Sequence, residues 1–241
     1  MRDLPKHAAA LVSSLEDRGV RTRLFGGVAV ALLTDYRALF GEERKAKDID
    51  LITDLPSFMP ARRALGELGY VANRRELYRA AGTKATFWDP AARLQVDLYC
   101  DPLLFSHRVV LGARLFLTSP TITPTDLLVT KLQIHSITDG DMRDMAALLS
   151  LSCGSDEERT MSPQRLASIC SADWGLYHTS VSNIEILLRF LNGGRSLISD
   201  TRVIIDSARM ILEAVGTAPK SIRWRLRGCI GTRIAWYNEP E

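Results

Sequence analysis

The spacing of apolar residues predicts alternating helices and strands in the first half of the chain. Apolar residues at helical intervals predict helices over residues 6–18, 28–33 and 56–68. Alternating apolar positions bounded by turn residues predict strands over 20–25, 47–53, 70–73, 76–80, 84–88, 93–99 and 114–118. The pair Gly26-Gly27 separates the first of these strands from the helix that follows it. This half is therefore expected to hold a mixed or antiparallel sheet with flanking helices.

After Ser119-Pro120 the pattern becomes helical throughout. Helices are predicted over 124–137, 141–151, 162–170, 184–191 and 202–215. The change of pattern places a domain boundary here, with an α/β domain over 1–120 and a helical domain over 121–241. The expected fold class is α+β, a mixed β-sheet with flanking helices followed by a C-terminal helical domain.

Composition narrows the class of protein. The chain has 241 residues, 46% hydrophobic and 24% charged, which is enough to bury a core and excludes general disorder. Its longest stretch without Asp, Glu, Lys or Arg has eleven residues, far short of the roughly twenty apolar residues of a membrane-spanning helix. The four cysteines are scattered without a zinc-ligand or disulfide pattern. We therefore expect a cytoplasmic protein that does not enter a membrane.

Positive charge is concentrated near the C-terminus. The whole chain carries a formal charge of only +3, but residues 214–238 contain five basic residues and no acidic one. Trp224 and Trp236 lie within this basic stretch. The composition suits a surface that binds phosphates and stacks a base, and it equally suits a solvated tail with two packed tryptophans.

Two strands carry carboxylates that are candidates for chemistry. Asp48 and Asp50 alternate with apolar residues, so their side chains are expected on one face of a strand. Asp97 is placed in the same way on a later strand. If the two strands are neighbours, three carboxylates converge, and like charges at such a site favour Mg²⁺ or Mn²⁺ as the counter-ion. Strand adjacency is the structural assumption behind this metal site.

The order of these features resembles a known superfamily. A Gly26-Gly27 turn before a helix, then Asp48 and Asp50, then a later strand Asp97, is similar to the DNA polymerase beta-like nucleotidyltransferases. The resemblance implies a nucleotidyltransferase-type sheet over 1–120. It also implies that Asp48, Asp50 and Asp97 are catalytic and hold the metal, and that Gly26 and Gly27 contact the nucleotide.

A narrower resemblance covers the first helices of the second half. The segment from Pro124 onward resembles AbiEii-type nucleotidyltransferases, the toxins of type IV toxin–antitoxin systems. It implies nucleotide binding by Lys131 and Asp141, with Asp144 completing the motif. From the residues alone, Asp141 is equally a helix cap. His135 is expected one turn after Lys131, either directed into a cleft or solvated.

Together these features predict a metal-dependent enzyme that moves an NMP from an NTP to an acceptor hydroxyl, with the NTP between the two halves. The acceptor is expected to be RNA such as tRNA, and a cognate antitoxin is a possible partner. The alternatives are a small-molecule acceptor, as in aminoglycoside nucleotidyltransferases, and a non-catalytic nucleotide-binding or partner-binding relative. The charged insert 35–47 is expected to be a disordered or partner-binding loop, and its Arg44 either approaches the triphosphate or is solvated.

Overall fold

The computed structural model describes residues 3–73, 83–156, 158–192 and 201–239. The chain forms two compact units. The first comprises residues 1–33, 43–103 and 109–123, and the second comprises 34–42, 104–108 and 124–241. Division at residue 120 into two domains stays a prediction, because a compact unit and an independently folding domain are different things.

The first unit contains a five-stranded mixed sheet in its described part. Its strands are β1 (Arg23–Phe25), β2 (Asp48–Thr53), β3 (Val71–Ala72), β4 (Lys84–Asp89) and β5 (Leu94–Cys100). Their order across the sheet is β1-β2-β5-β4-β3. Strands β2 and β5 are parallel, and every other pairing is antiparallel. The strands predicted over 20–25, 47–53, 70–73, 84–88 and 93–99 correspond to these five elements.

Three helices pack against strands of this sheet. They are α1 (Leu4–Glu16), α2 (Gly26–Leu33) and α4 (Leu55–Glu67). Helix α1 begins where the side chain of Asp3 accepts the backbone N–H of Lys6, and it buries Leu11 and Leu15. Ile49 of β2 and Val96 of β5 lie opposite each other on one face of the sheet, and both are fully buried. The opposite face of the same strands is polar, and the candidate site lies there.

Two of the predicted strands have no counterpart among the described strands. The strand predicted over 114–118 is wrong, because residues Gly112–Phe116 form a 3₁₀-helix. The carboxylate of Asp101 accepts the backbone N–H groups of Leu111 and Gly112, both at 2.9 Å, and this holds the chain in a turn rather than a strand. The strand predicted over 76–80 lies outside the described residues.

The second unit is helical. Its helices are α3 (Tyr36–Phe40), α5 (Pro124–Leu132), α6 (Asp139–Leu149), α7 (Pro163–Ala172), α8 (Trp174–Asn192), α9 (Arg202–Thr217) and α10 (Ile222–Ile230). Two short strands, β6 (Leu103–Leu104) and β7 (Arg108–Val109), pair with each other. A 3₁₀-helix over Gly231–Arg233 follows α10. The α+β class predicted from the sequence, with a mixed sheet, flanking helices and a helical second half, is confirmed.

Helix α8 begins about ten residues earlier than predicted. Helix α8 begins at Trp174 rather than near residue 184, because its buried face is partly polar and lacks the apolar period. Asn183 on that face is buried and donates its side-chain amide to the carbonyls of Leu132 and Ile134, at 2.9 and 2.7 Å. In the insert 35–47, residues 36–40 form helix α3, so this part of the insert is not a disordered loop. Partner binding by the insert stays a prediction.

Two further observations concern the whole described chain. The cysteines Cys100, Cys153, Cys170 and Cys229 are free thiols. Within the described ranges, no helix is both long enough and apolar enough to cross a membrane. The cytoplasmic location stays a prediction.

Candidate functional site

The first unit brings the predicted carboxylates onto neighbouring strands. In the parallel pairing of β2 with β5, Asp50 lies opposite Asp97 and Asp48 lies opposite Gln95. Residues directly opposite each other in a sheet share a face, so the three carboxylates lie on one side of the sheet. The strand adjacency that the metal hypothesis required is therefore present.

Asp97 is held by several neighbouring side chains. It is 4% exposed, and its oxygens accept hydrogen bonds from the Thr86 hydroxyl at 2.7 Å and from the Gln95 amide at 3.2 Å. The ammonium of Lys84 lies 2.9 Å from Asp97 Oδ2. A buried carboxylate needs such partners, since burying an isolated charge is costly. The Asp97 carboxylate is thus already paired with one ammonium group and with hydrogen-bond donors from two further side chains.

Lys84 and Tyr99 form the electrostatic neighbourhood of Asp97. Burial alone lowers the pKa of Lys84, but its hydrogen bond to Asp97 and the nearby Tyr99 outweigh burial and hold that pKa above its ordinary value. Burial, and then the negative charge of Asp50, raise the pKa of Tyr99. The Lys84 ammonium also lies 5.0 Å from the centre of the Tyr99 ring. Lys84 is therefore charged, and Tyr99 is a neutral phenol, at neutral pH.

The glycine pair lies directly beside Asp50. Strand β1 runs straight into α2 at Gly26, whose φ of +68° is a conformation that favours glycine. A Cβ added to Gly26 would collide with Asp50 Oδ2, and one added to Gly27 would lie 3.0 Å from Arg44 Nη2. The absence of side chains thus lets a carboxylate and a guanidinium approach the N-terminal turn of α2.

Replacing Gly26 by alanine should destabilise the protein more than its backbone conformation explains. Gly19 has a similar φ of +73° but has open space around it, so Gly19→Ala is a matched control for conformational strain. We expect Gly19→Ala to cost about 1–2 kcal/mol. Gly26→Ala should cost about 1–3 kcal/mol more, because the methyl group overlaps Asp50. Urea unfolding of both variants measures the difference, and equal losses would contradict the close approach.

The donor set on this face fits a single hard cation better than a pair. Mg²⁺ is commonly held by one or two carboxylates together with substrate phosphates, and Asp48 and Asp50 supply such a pair. Across residues 3–73, 83–156, 158–192 and 201–239, however, no group of three His, Cys, Asp or Glu side chains is arranged to hold a metal ion. A three-carboxylate set would require Lys84 to leave Asp97. The metal roles of Asp48, Asp50 and Asp97 stay predictions.

Lys131, Asp141 and Asp144, the residues predicted from the segment that begins at Pro124, lie together in the second unit. The Lys131 ammonium lies 3.0 Å from Asp141 Oδ1 and 2.9 Å from Asp144 Oδ2. Asp144 is fully buried, and the side chain of Lys131 is only 12% exposed. Asp141 also forms a capping box with Thr138 at the start of α6. Asp141 is thus both a helix cap and a partner of Lys131.

The charges of this Lys131 cluster reinforce each other. Burial lowers the pKa of Lys131, but Asp144 and Asp141 outweigh burial and raise it above its ordinary value. Burial raises the pKa of Asp141, but Lys131 and Thr138 outweigh it and hold that pKa below its ordinary range. The nucleotide-binding roles predicted for Lys131 and Asp141 stay predictions.

His135 is not one helical turn after Lys131, because α5 ends at Leu132. Its ring stacks on Tyr237 with centres 3.5 Å apart and planes 10° apart. The ring also makes an edge contact with Trp236 at 5.5 Å. His135 therefore belongs to an aromatic cluster formed with the C-terminal segment.

Sequence reasoning missed the groups that surround Asp97. Lys84 and Thr86 alternate along β4, opposite Tyr99 and Asp97 of β5. Alternation in the segment Lys84–Asp89 shows that both side chains share a face. Only the pairing of β4 with β5 shows which face that is.

Comparison with known proteins yields a structural similarity but no family. No protein-family model matches the chain, and no curated protein matches it. Among solved structures, the chain is similar to an antigenic nucleotidyltransferase-like protein from Paracoccidioides brasiliensis. The two share 13% sequence identity with a TM-score of 0.44, over 91% of this chain and 94% of that chain. At these values the similarity transfers no function to this chain.

Proposed function

We propose that the protein is a nucleotidyltransferase that moves an NMP from an NTP to an acceptor hydroxyl and releases pyrophosphate. One observation carries the proposal. Asp48 and Asp50 of β2 face the same side as Asp97 of the parallel neighbour β5, and the start of a glycine-led helix lies against Asp50. Phosphoryl transfer depends on positioning and electrostatics, and this arrangement supplies both.

Each part of the site has a distinct task in this proposal. The backbone N–H groups at Gly26 and Gly27 would donate hydrogen bonds to phosphate oxygens, because a helix start without side chains allows close approach of an anion. Arg44, beside Gly27, would add positive charge to the same phosphates. Asp97 would accept the proton of the attacking hydroxyl after the Lys84 ammonium has moved away from its carboxylate.

A divalent cation is part of the proposal. Asp48 and Asp50 would hold Mg²⁺ or Mn²⁺, which would offset negative charge on the phosphate oxygens of the bound NTP. The two aspartates lie on successive outward positions of one strand, so an NTP that brings the cation would complete its oxygen ligands.

RNA, such as tRNA, is the acceptor class we propose. The support is the basic segment 214–238, in which Arg223, Arg225 and Arg233 are exposed. An acidic pocket for a cationic small molecule finds less support, since the carboxylate of Asp156 accepts the backbone N–H of Glu158 within its own turn. A toxin-like role with a cognate antitoxin protein follows from the AbiEii resemblance and is part of the same proposal.

A second candidate, a nucleotide-binding protein without catalysis, is favoured by one observation. Lys84 pairs with Asp97 at 2.9 Å and occupies a position next to the carboxylate where a cation would bind. If that pair persists when nucleotide binds, Asp97 has no role in proton transfer. The two candidates therefore differ in whether the ion pair between Lys84 and Asp97 breaks when substrate binds.

Replacing Lys84 by methionine should strengthen binding of a divalent cation in the absence of nucleotide. The variant removes the ammonium beside Asp97 and leaves the hydrogen bonds from Thr86 and Gln95 in place. We expect Mn²⁺ to raise the melting temperature of Lys84→Met more than that of the wild type, because an uncompensated carboxylate gains a cation.

The control is the double variant Lys84→Met/Asp97→Asn, which lacks both charges. It should show no larger Mn²⁺-induced shift than the wild type. A shift in Lys84→Met that equals the wild-type shift would show that Lys84 does not compete with a cation for Asp97.

The proposed function is tested by incubating the protein with Mg²⁺ and each of the four labelled NTPs, with and without total tRNA. Label that moves into RNA supports a nucleotidyltransferase with an RNA acceptor. NTP binding without transfer to RNA, protein or added small cations would support the non-catalytic candidate.

A further inference from the structure

A second candidate site lies within the helical unit, formed by α7, α8, α10 and the segment that follows α10. These elements line an open cavity of about 660 Å³, which falls within the roughly 300–1,000 Å³ typical of small-molecule sites. The residues that line it include Arg108, Arg223 and Arg227, together with Trp174, Trp236 and Tyr237. None of them belongs to the sheet site described above.

The charge of the lining favours an anion. Three arginines and one aspartate, Asp173, line the cavity, and burial lowers the pKa of the lining His107, which is therefore neutral. The Asp173 carboxylate accepts the backbone N–H of Leu176 at the start of α8. The net formal charge of these groups is positive.

The three arginines are held differently. Arg227 donates to the carbonyls of Gly231 and Ile234 at 2.6 and 3.1 Å, so it fixes the chain after α10. Arg108 and Arg223 are exposed, and within the described ranges neither guanidinium forms a hydrogen bond or an ion pair. A guanidinium at the mouth of a cavity recognises phosphate well, since its planar donors match two oxygens.

The aromatic residues of the lining provide a surface for a planar ring. Trp174 stacks on the ring of His178, and the guanidinium carbon of Arg227 lies over the Trp174 ring, 4.6 Å from its centre. Trp236 makes edge contacts with its neighbours, and Tyr237 stacks on His135 at 3.5 Å. Trp236 and Tyr237 are thus the rings best placed to receive a base.

The walls of the cavity are fixed before any ligand binds. The backbone N–H of Asn238 donates to the carbonyl of Ser106 at 2.8 Å, which ties down the C-terminal segment. Trp224 Nε1 donates to the carbonyl of Cys170 at 2.9 Å, which ties α10 to α7. A Cβ on Gly175 would lie 2.5 Å from the carbonyl oxygen of Trp236, so this segment fits closely against α8. Such preorganisation lowers the entropic cost of binding.

We propose that this cavity binds one nucleotide unit, a phosphate next to a planar base, as a site separate from the sheet face. Arg108 and Arg223 hold the phosphate, and Tyr237 and Trp236 contact the base. The same chemistry is offered by a free nucleoside monophosphate and by one nucleotide of a single-stranded RNA. The proposal does not rest on the proposed catalytic function.

The test is calorimetric titration of the full chain carrying Asp50→Asn, in EDTA, so that neither a divalent cation nor the intact sheet site contributes. The probes are 5′-AMP, adenosine, ribose 5-phosphate and inorganic phosphate. We expect 5′-AMP to bind about tenfold or more tightly than each of the other three, because they lack the base, the phosphate or both the base and the sugar. Binding of 5′-AMP no tighter than inorganic phosphate would overturn the proposal.

Arginine variants separate this cavity from general attraction to a basic surface. Arg223→Gln should weaken 5′-AMP binding about tenfold, because it removes a charged phosphate contact. Arg225→Gln is the matched control, an exposed arginine on the same helix that does not line the cavity. It should leave the affinity unchanged. Equal losses in the two variants would overturn the assignment.

Two further measurements test the base contact and identify the source of the nucleotide. Tyr237→Leu should weaken 5′-AMP more than ribose 5-phosphate, since only the former has a ring to stack, and equal weakening would contradict the base contact. An oligoadenylate of eight residues that binds more tightly than 5′-AMP, and loses affinity with Arg223→Gln, identifies single-stranded RNA as the source. Weaker binding of the oligomer identifies the free nucleotide.

Discussion

If the protein is the proposed nucleotidyltransferase, Asp50→Asn should lower the rate of nucleotide transfer strongly while leaving the fold intact. Asn has nearly the size of Asp, so the contact with Gly26 is preserved, but the negative charge at the centre of the polar face is lost. Removing a single electrostatic group of this kind commonly lowers turnover about 10²- to 10³-fold. The rate of label transfer from NTP measures the loss, and the melting temperature shows whether the fold is kept.

Asp54→Asn provides the matched control for this substitution. Asp54 follows β2 directly, but its carboxylate caps α4 by accepting the backbone N–H of Ser57 at 3.0 Å. Asn caps helices about as well as Asp, so this variant should retain both fold and turnover. Equal turnover in the wild type and Asp50→Asn would show that the polar face of the sheet takes no part in the proposed catalysis.

The carboxylate face illustrates what a sequence can predict about a sheet. Alternation along β2 and β5 is a local property, and it correctly placed Asp48, Asp50 and Asp97 on the faces of their strands opposite the buried apolar residues. Which strands are neighbours depends on contacts between distant segments, and nothing in either strand determines it. The parallel pairing of Asp50 with Asp97, and the presence of Lys84 beside them, therefore required the structure.

The wrong strand at 114–118 has the same origin, a contact with a distant residue. Residues 114–118 have the apolar content of a strand, but a carboxylate thirteen positions before them, Asp101, caps the preceding turn and redirects the chain. In α10, the helix begins at the cap Ser221, which accepts the backbone N–H of Trp224. The basic residues around Trp224 suggested a surface or a tail, because α10 buries none of its residues fully and has no apolar period facing a core.

The Lys131 cluster shows how one motif can serve stability. The segment resembled a nucleotide-binding motif, and its lysine and two aspartates do come together, but they bind each other. A buried ion pair contributes little net stability relative to an apolar pair, yet breaking it by removing one partner is costly. Any nucleotide contact made by Lys131 would add to this structural role.

Lys131→Met should therefore destabilise the protein by about 3–5 kcal/mol, because it removes an ammonium 2.9 Å from the fully buried carboxylate of Asp144. The loss should be constant near neutral pH. The pKa of Lys131 is raised in the folded protein. Its contribution to the free energy of unfolding is therefore fully present up to a pH equal to the ordinary lysine pKa of about 10.4. The pKa of Asp141 is lowered, so its contribution is present above about pH 4 and fades as pH falls through the lowered value. Urea unfolding of the wild type and the variant between about pH 3 and 9 measures this difference.

Two further variants isolate the buried charge as the cause. Lys6→Met removes a lysine that also lies 2.9 Å from a carboxylate, that of Asp3, but this pair is on the surface and its loss should not be measurable. The double variant Lys131→Met/Asp144→Asn should recover part of the stability lost in Lys131→Met, because a neutral amide tolerates burial without a cation. If Asp144→Asn instead adds its full cost in the Lys131→Met background, the two side chains act independently, and the stability of the second unit does not depend on their pairing.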